Sequence, residues 1–255
     1  MKKLMSMILV ALLVLAMGSA AMAEEAWAGA VGKTYVVGTD TTFAPFEYEN
    51  DEGVFTGIDI KIFDAVAAEM GFTIDWQILG FSASVTALEA GQVEAVMAGM
   101  SITEERMAKY DFADSYYGSA TGVAVAKDST AASLDDLKGK TVVAKTGTTG
   151  SQYAEEIAPA YELEVLYVES SSDMYTYIAS GMADACFEDY PVVQYEIARG
   201  NVACKVINVS EASSPYGVAT MKGTQPELVA AFNEGLKRLQ ENGTYDAILA
   251  EFFGE

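Results

Sequence analysis

One arginine has a position in the sequence that suggests a specific role. Arg106 is one of three arginines in the chain and lies near the start of a predicted short helix within residues 97–117. The positive end of a helix dipole disfavours a cation there. Two explanations stay open: a surface ion pair, worth about 0–1 kcal/mol, or a guanidinium in a cleft that holds a carboxylate bidentately, as lysine cannot. Ser101 or Thr103 can cap the helix, and Glu104 can complete a capping box with Ser101.

Two adjacent carboxylates follow a predicted strand at residues 183–189. The sequence FEDYP, residues 187–191, contains Glu188 and Asp189 at the end of that strand. Paired carboxylates can perform acid–base catalysis. Adjacent residues of a strand normally point to opposite faces, so Asp189 alone, as the partner of an ammonium group, is the simpler hypothesis.

A loop rich in glycine and threonine joins a predicted strand to a predicted helix at residues 145–151, KTGTTGS. It is not a P-loop, because no Gly-Lys-Ser/Thr ends it. Gly147 and Gly150 permit tight backbone geometry, and Thr148 and Thr149 offer hydroxyls. Amides at a helix N-terminus attract anions, so this loop is either an anion-binding turn or an ordinary capped turn.

Aromatic residues accompany a carboxylate after the first predicted strand, in TDTTFAPFEY at residues 39–48. Asp40 stands at the carboxyl end of the strand. Phe43 is expected in a loop, where an exposed ring is typical of a binding wall, whereas core packing explains Phe46. Phe81 occupies the matching loop after the second strand. Such aromatic walls bury the apolar part of a small ligand.

The elements that must position these side chains alternate between strands and helices. Residues 34–99 are predicted to run strand–helix–strand–helix–strand, with the first helix at 58–70, which indicates a parallel sheet. A second series follows an aromatic segment at 110–127, and two helices close the chain. Residues 87–99 and 177–189 share one pattern: each runs from a helix end through a glycine and a short linker to an apolar strand. Ligands bind beyond the carboxyl ends of parallel strands, so two such sheets facing each other would share one cleft.

The first 23 residues have the features of a secretory signal peptide: Lys2 and Lys3, an apolar run, and an A-x-A site that ends at Ala23. We expect a periplasmic mature chain without a membrane span. Cleavage would change the formal net charge from −22 to −24. So much negative charge disfavours binding to nucleic acid and to anionic membranes.

The chain has no histidine and two cysteines. The absence of histidine excludes Ser-His-Asp, Cys-His and His-ligated metal chemistry, and we expect no cofactor and no metal. Cys186 and Cys204 lie in predicted strands. An oxidising compartment permits a disulfide between them, provided that their strands are neighbours.

Six segments together carry a specific resemblance: VGTDTTFAPFEY, GIDIKIFDAVAAEMG, AGMSITEERMAKYDFADSYY, LKGKTVVAKTGTTG, GMADACFED and ENGTYDAILAEFF. The chain resembles the periplasmic amino-acid-binding proteins of ABC importers, in particular the polar-amino-acid branch of solute-binding protein family 3. The resemblance implies a type II periplasmic-binding-protein fold. Two α/β lobes, each a mostly parallel sheet flanked by helices, would hold the ligand in the cleft between them. The implied limits are 1–23 for the signal peptide, 24–117 plus 216–255 for the large lobe, 122–211 for the small lobe, and 116–124 and 209–218 for the hinge crossovers.

The resemblance also implies a ligand-binding set. Arg106 would grip the ligand α-carboxylate, helped by amides near Ser101 and Thr149. Asp189 would take the α-ammonium with the Gly99 carbonyl and the Ser101 hydroxyl, and two phenylalanines would line the ligand stem. The full set is Asp40, Phe43, Phe81, Gly99, Met100, Ser101, Arg106, Lys145, Thr148, Thr149, Gly150, Glu188 and Asp189.

Three residues of this set bear on which amino acid is bound. Asp40 accepts hydrogen bonds and Lys145 donates them, and a side-chain amide complements both. Lys145 also matches a lysine of glutamine-binding members, but Glu188 stands where those members have histidine. Glutamine is therefore favoured, and the basic amino acids come next.

The implied function is an extracytoplasmic solute-binding protein rather than an enzyme. It would capture a polar L-amino acid by hinge closure, act as a monomer, and deliver the ligand to the membrane permease subunits of an ABC importer. The alternative is a cyclohexadienyl-dehydratase-like enzyme on the same scaffold, for which Glu188 is the only evident acid.

Overall fold

The computed structural model describes residues 26–254. The predicted signal peptide lies outside these residues. Within them, no helix combines the length and the apolar character that crossing a membrane requires.

Strands and helices alternate along most of the described chain. The strands are β1 (Thr34–Thr39), β2 (Thr42–Phe43), β3 (Glu47–Glu49), β4 (Phe55–Thr56), β5 (Thr73–Ile78), β6 (Ala95–Val96), β7 (Tyr110–Phe112), β8 (Ala120–Ala126), β9 (Thr141–Lys145), β10 (Glu164–Val168), β11 (Ala185–Asp189), β12 (Cys204–Ser213) and β13 (Ala219–Met221). The helices are α1 (Ile58–Met70), α2 (Phe81–Glu89), α3 (Glu104–Lys109), α4 (Thr149–Tyr161), α5 (Ser171–Ser180), α6 (Tyr190–Arg199), α7 (Pro226–Glu241) and α8 (Thr244–Phe253).

Two five-stranded sheets form the framework, in the orders β5-β1-β6-β13-β7 and β10-β9-β11-β8-β12. In each sheet the first two pairings are parallel and the last two are antiparallel. The predicted two-lobed α/β architecture is confirmed, and the antiparallel half of each sheet adds to it. The chain passes from the first sheet to the second before β8 and returns after β12. The limits of the lobes stay predictions.

Helix α1 shows how the sequence builds the core beside the first sheet. Its apolar residues recur at helical spacing and are buried, and Gly71 ends it in the left-handed conformation with φ 78°. Helix α7 packs closely against it: a Cβ atom at Gly235 would lie 2.7 Å from Val66 Cγ1. Glycine is therefore needed where the two helices meet.

The predicted aromatic loops differ from the structure. Phe43 lies in β2 and pairs with Glu47 of β3, in a small sheet completed by β4. Phe81 is the first residue of α2. Both rings are about 5% exposed. Strands of two or three residues are too short to show a period-2 pattern, which is why the small sheet was not predicted.

The register of the second sheet decides the open question of the cysteines. Cys186 pairs with Ala124 and Cys204 pairs with Ala126, so strand β8 lies between them. Two strand spacings amount to about 9.5 Å, which exceeds the roughly 7 Å limit on the Cα separation of a disulfide. Both thiols are buried and free.

Candidate ligand-binding site

A cavity between the two halves of the fold gathers most of the predicted binding residues. It is lined by Phe43, Phe81, Ala98, Gly99, Ser101, Arg106, Lys145, Thr148, Thr149, Gly150, Glu188 and Asp189. Eleven of the thirteen predicted residues are in this set. The cavity volume is about 20 Å³, so its two sides are closed on each other.

Two predicted residues lie elsewhere. Met100 packs into a core cluster with Val96 and Tyr110 and is 1% exposed, because it points away from the cavity that its neighbours Gly99 and Ser101 line. Asp40 is not among the lining residues and reaches the site through an ion pair described below. Ala98 lines the cavity although no chemical signal in the sequence singled it out.

Arg106 faces the cavity rather than solvent. Its Nη1 donates to the Ser101 carbonyl at 2.8 Å and its Nη2 to the Gly147 carbonyl of the other lobe at 2.9 Å. Its Cζ lies 5.4 Å from the centre of the Phe81 ring. The side chain is buried and takes part in none of the ion pairs between residues 26 and 254. The surface-ion-pair explanation is therefore wrong.

The cap of α3 directs this arginine. Thr103 is the N-cap, and its side chain accepts from the Arg106 amide at 3.2 Å. The alternative cap, Ser101, instead has its hydroxyl 3.3 Å from that of Thr149 across the cavity. Because Ser101 lies before the cap, it is free to contact the other lobe. Burial lowers the pKa of the Arg106 guanidinium, although the nearby charge of Asp189 raises it.

Asp189 enters the cavity from the end of β11. Tyr216, on the returning connection between the lobes, donates its hydroxyl to Asp189 Oδ2 at 2.6 Å. Burial raises the pKa of Asp189 to about 6, against the opposing effects of Tyr216 and Arg106. Sequence reasoning missed Tyr216, because nothing local in a crossover marks a contact with a distant strand.

Glu188 lines the same cavity, contrary to the expectation that adjacent strand residues point apart. Strand β11 ends at Asp189 and α6 begins at Tyr190, so the chain turns there. Glu188 Oε1 accepts from the Asp189 amide at 2.9 Å. Its buried Oε2 makes no hydrogen bond within the described residues, although the neighbouring Ser171 hydroxyl acts to lower the pKa of this carboxyl. Burial, followed by the charge of Asp189, raises the pKa of Glu188 to about 7.

Lys145 and Asp40 form an ion pair between the lobes. The Lys145 ammonium contacts Asp40 Oδ2, and both side chains are buried. Asp40 Oδ1 also accepts from the Thr41 and Thr42 amides, at 2.6 and 3.1 Å. Burial raises the pKa of Asp40, but the ion pair with Lys145 and these amides lower it below its usual value. Lys145 Nζ lies 5.3 Å from the centre of the Phe43 ring, at cation–π distance.

The predicted loop at residues 145–151 is capped at the start of α4, and its attraction for an anion stays a prediction. Thr148 is the N-cap of α4 and accepts from the Ser151 amide at 3.2 Å. Gly150 follows, and a Cβ atom there would lie 2.7 Å from the Phe187 carbonyl oxygen. The start of α4 is therefore held close to β11, with Thr149 at the cavity.

Gly99 joins the cavity to the core behind it. It has φ 53°, and a Cβ atom there would lie 2.3 Å from Phe43 Cε1. Its amide donates to Asp59 Oδ2 of α1 at 2.9 Å. Sequence reasoning missed Asp59, although an acid beside the buried positions of a helix is a usable signal. No group of three or more His, Cys, Asp or Glu side chains within residues 26–254 is arranged to hold a metal ion.

Comparison with known proteins identifies the family. The sequence profile of the bacterial extracellular solute-binding proteins, family 3, matches residues 35–255. The chain belongs to this family. Among its relatives is the arginine-binding extracellular protein ArtP of Bacillus subtilis (strain 168), which is 32% identical over 222 residues, covering 87% of this chain and 86% of ArtP.

Solved structures of the family share the fold of this chain. An ancestral arginine-binding protein bound to glutamine superposes with a TM-score of 0.80 at 33% identity, over 87% of this chain and 98% of that one. The ancestral amino acid-binding protein AncCDT-1, a precursor of cyclohexadienyl dehydratase, gives a TM-score of 0.78 at 33% identity, over 91% and 99%. These family 3 structures are two-lobed binding proteins, as this chain is.

Proposed function

We propose that this family 3 chain binds a polar L-amino acid between its lobes and delivers it to the permease of an ABC importer. One observation carries the proposal: Arg106 from one lobe and Asp189 from the other line the same cavity. An α-amino acid has a carboxylate and an ammonium group on one carbon. A guanidinium and a carboxylate at one site complement those two charges.

The grip on the α-amino group and α-carboxylate is proposed as follows. Arg106 donates one N–H to each of two backbone carbonyls. A guanidinium has five N–H donors, so the others are available for a ligand carboxylate. The Thr149 amide at the N-terminus of α4 adds to this attraction. Asp189 Oδ1, the oxygen that Tyr216 does not use, takes the ammonium with the Gly99 carbonyl and the Ser101 hydroxyl.

We propose glutamine as the favoured ligand. Lys145 and Asp40 meet where the ligand side chain would extend, one a donor and the other an acceptor. The side-chain amide of glutamine offers a carbonyl to Lys145 and an NH₂ group to Asp40. This neutral side chain leaves the charges of the ion pair balanced.

Basic amino acids are the second candidates. Glu188 Oε2 is buried and makes no hydrogen bond within residues 26–254, with the neutral Ser171 hydroxyl as its neighbour, and a cationic side chain would supply a charged donor. The relative ArtP is named for arginine, and an ancestral arginine-binding protein has been solved with glutamine bound. Relatives of this chain are thus connected with both arginine and glutamine. In this chain, the positive charge of Lys145 would repel a cationic ligand side chain.

Binding is proposed to proceed by hinge closure in a periplasmic monomer. The two connections between the lobes, at about 116–124 and 209–218, would act as hinges between a large lobe of 24–117 plus 216–255 and a small lobe of 122–211. Contacts across the cavity, such as Arg106 with Gly147 and Asp40 with Lys145, exist only when the lobes are together. A ligand held by both lobes would shift the population toward the closed state.

A dehydratase-like activity is the alternative. Its support is the similarity to AncCDT-1 and the raised pKa of Glu188, about 7, which suits a general acid near neutral pH. Binding is favoured over catalysis because the charges of Arg106 and Asp189 complement those of an amino acid. Transport of an amino acid requires no proton transfer, so it does not need Glu188 as an acid.

Thermal unfolding in the presence of each of the twenty L-amino acids tests the proposal. A ligand at one hundred times its dissociation constant stabilises the folded protein by about 2.7 kcal/mol. We expect the largest shift of the melting temperature with L-glutamine. No shift with any amino acid would contradict the proposal, and loss of the ligand during incubation, measured by chromatography, would favour the enzyme.

A further inference from the structure

Two carboxyl groups lie side by side in the core behind the cavity: the Asp59 amide donates to the carbonyl of Phe46, the residue before Glu47, at 2.9 Å, and the two carboxyl groups are within hydrogen-bonding reach of each other. Glu47 belongs to β3 and Asp59 to the first turn of α1, and both are fully buried. Asp59 Oδ2 accepts from the Gly99 amide at 2.9 Å and from the Tyr116 hydroxyl at 2.7 Å. Asp59 Oδ1 and both oxygens of Glu47 have no hydrogen-bond donor among the described residues.

Two buried carboxylates in contact would repel each other and leave three oxygens unpaired. Each unpaired buried acceptor lowers the stability of the folded state by about 1–3 kcal/mol. Two adjacent buried negative charges lower it further, which favours protonation of one of the two groups. One proton between the two groups removes the repulsion and pairs two of the three oxygens, because a protonated carboxyl is a donor and the other carboxylate accepts from it.

The surroundings assign that proton to Glu47. Asp59 has two donors on Oδ2 and lies in the first turn of α1, where the helix dipole favours an anion. The charged groups that act on Glu47 are Asp59 and Asp40, which favour its protonated form, and Lys145, which opposes it, and the Tyr116 hydroxyl also lies within its influence. Burial and the charge of Asp59 raise the pKa of Glu47 well above its usual value, and burial raises that of Asp59 to about 6.

We propose that Glu47 donates a hydrogen bond to Asp59, and that this acid pair holds Gly99 and Tyr116 in the arrangement that ligand binding requires. Glu47 and Asp59 are positioning residues, because neither lines the cavity. The effect on binding rests on the proposed function above. The shared proton does not, and it can be measured without any ligand.

The contacts of the acid pair extend to both sides of the cavity. Glu47 pairs across the small sheet with Phe43, whose ring lies against Gly99. On the other side of Asp59, the Tyr116 ring lies 6.1 Å from that of Tyr216, which donates to Asp189. A displaced Asp59 would therefore disturb the Gly99 segment and the tyrosines of both crossovers.

Two substitutions of Glu47 distinguish the effect of its hydrogen-bond donor from the effect of its side-chain length. Glu47→Gln keeps an N–H donor toward Asp59 but cannot ionise, and Glu47→Met has similar length and no donor. With L-glutamine and L-arginine as probes, we expect Glu47→Met to lower the affinity about tenfold or more, and Glu47→Gln to restore most of it. Equal loss in the two variants would contradict a donor role.

Ligand-free measurements test the proton itself. The wild-type protein near neutral pH should show an infrared C=O stretching band of a protonated, buried carboxyl group that Glu47→Gln lacks. Because folded Glu47 keeps a proton that the unfolded chain releases above about pH 4.5, the wild-type unfolding equilibrium should favour unfolding by up to about tenfold more per pH unit than that of Glu47→Gln.

The outcomes are separable. An identical infrared spectrum and pH slope in wild type and Glu47→Gln would overturn the shared proton. If Glu47→Met does not fold, the comparison of Glu47→Gln with wild type still decides this point. If the wild type binds no amino acid at all, the proposed function fails and the ligand-free result still stands.

Discussion

The two ends of the cavity differ in what holds their charged groups. At the end that we propose for the ligand α-carboxylate and α-ammonium (the amino-acid end), Arg106 is held by the carbonyls of Ser101 and Gly147, and Asp189 by the Tyr216 hydroxyl. At the end that we propose for the ligand side chain (the side-chain end), Lys145 is held by Asp40. Glu188, also at the side-chain end, has one buried oxygen that makes no hydrogen bond in the part of the chain that the structure describes.

This difference indicates which part of recognition is fixed. The carbonyls that hold Arg106 belong to the backbone and do not change when a side chain is substituted, so the position of Arg106 is kept across changes in sequence, whereas that of Asp189 depends on Tyr216. Lys145, Asp40 and Glu188 depend on each other and on the ligand, so one substitution alters the charge presented to the ligand side chain. We infer that the first end selects α-amino acids as a class and the second selects among them.

The largest expected effect follows from Arg106→Lys. Lysine cannot contact a carboxylate bidentately and loses the planar fork, so the affinity for every amino acid that binds should fall by about 100-fold. Calorimetric titration measures this. The matched control is Arg199→Lys, at an exposed position of α6. A loss of affinity for one ligand only would contradict the claim that Arg106 recognises the part common to all α-amino acids.

Gly99→Ala should disturb the amino-acid end and the fold together. The added methyl would lie 2.3 Å from Phe43 Cε1 at φ 53°, which predicts a loss of about 1–3 kcal/mol in the free energy of unfolding and weaker binding. Chemical denaturation reports the first effect. Gly118→Ala is the control, since a Cβ atom there meets nothing within 4 Å. Equal stability of the two variants would contradict the close contact.

Lys145→Met should change selectivity rather than class recognition. Loss of the ammonium leaves Asp40 and Glu188 to attract a cationic side chain, so the ratio of L-arginine to L-glutamine affinity should rise about tenfold. Lys127→Met, at an exposed position, provides the control. An unchanged ratio would mean that Lys145 does not sense the ligand side chain.

Glu188→Gln should act on the pH dependence of stability. Folded Glu188 has a pKa raised to about 7 from 4.5, so the folded state holds a proton that the unfolded chain releases. Its contribution to stability therefore decreases as pH rises through this range, by up to about 1.4 kcal/mol per pH unit. Glu188→Gln should have a flatter stability profile than wild type, whereas Glu104→Gln, at an exposed position, should not.

The sequence predicted the elements well where they are long. Helix α1 has the predicted bounds of 58–70, because its apolar spacing extends over more than three turns and a glycine ends it. The last strand of the series predicted over residues 34–99 is β6, and it spans only Ala95–Val96. The residues after β6 turn into the cavity, and apolar residues there look the same whether they pair in a sheet or line a site.

The site was predictable where one side chain carries the chemistry. Arg106, Asp189 and Lys145 have types and positions that signal binding. Tyr216 and Asp59 act through contacts with distant segments, at 2.6 Å to Asp189 and 2.9 Å to Gly99. Only tertiary folding brings these partners together, so no local sequence pattern predicts their contacts.

Calorimetric titration of the wild-type protein with modified ligands tests the central claim most directly. The series is L-glutamine, its α-amide, which lacks the carboxylate, and its N-acetyl derivative, which lacks the ammonium. We predict that L-glutamine binds one to one and that each derivative binds at least about 100-fold more weakly, because each loses a charge-assisted partner in Arg106 or Asp189. Equal affinity for the three compounds would contradict recognition of the α-amino acid by these two residues.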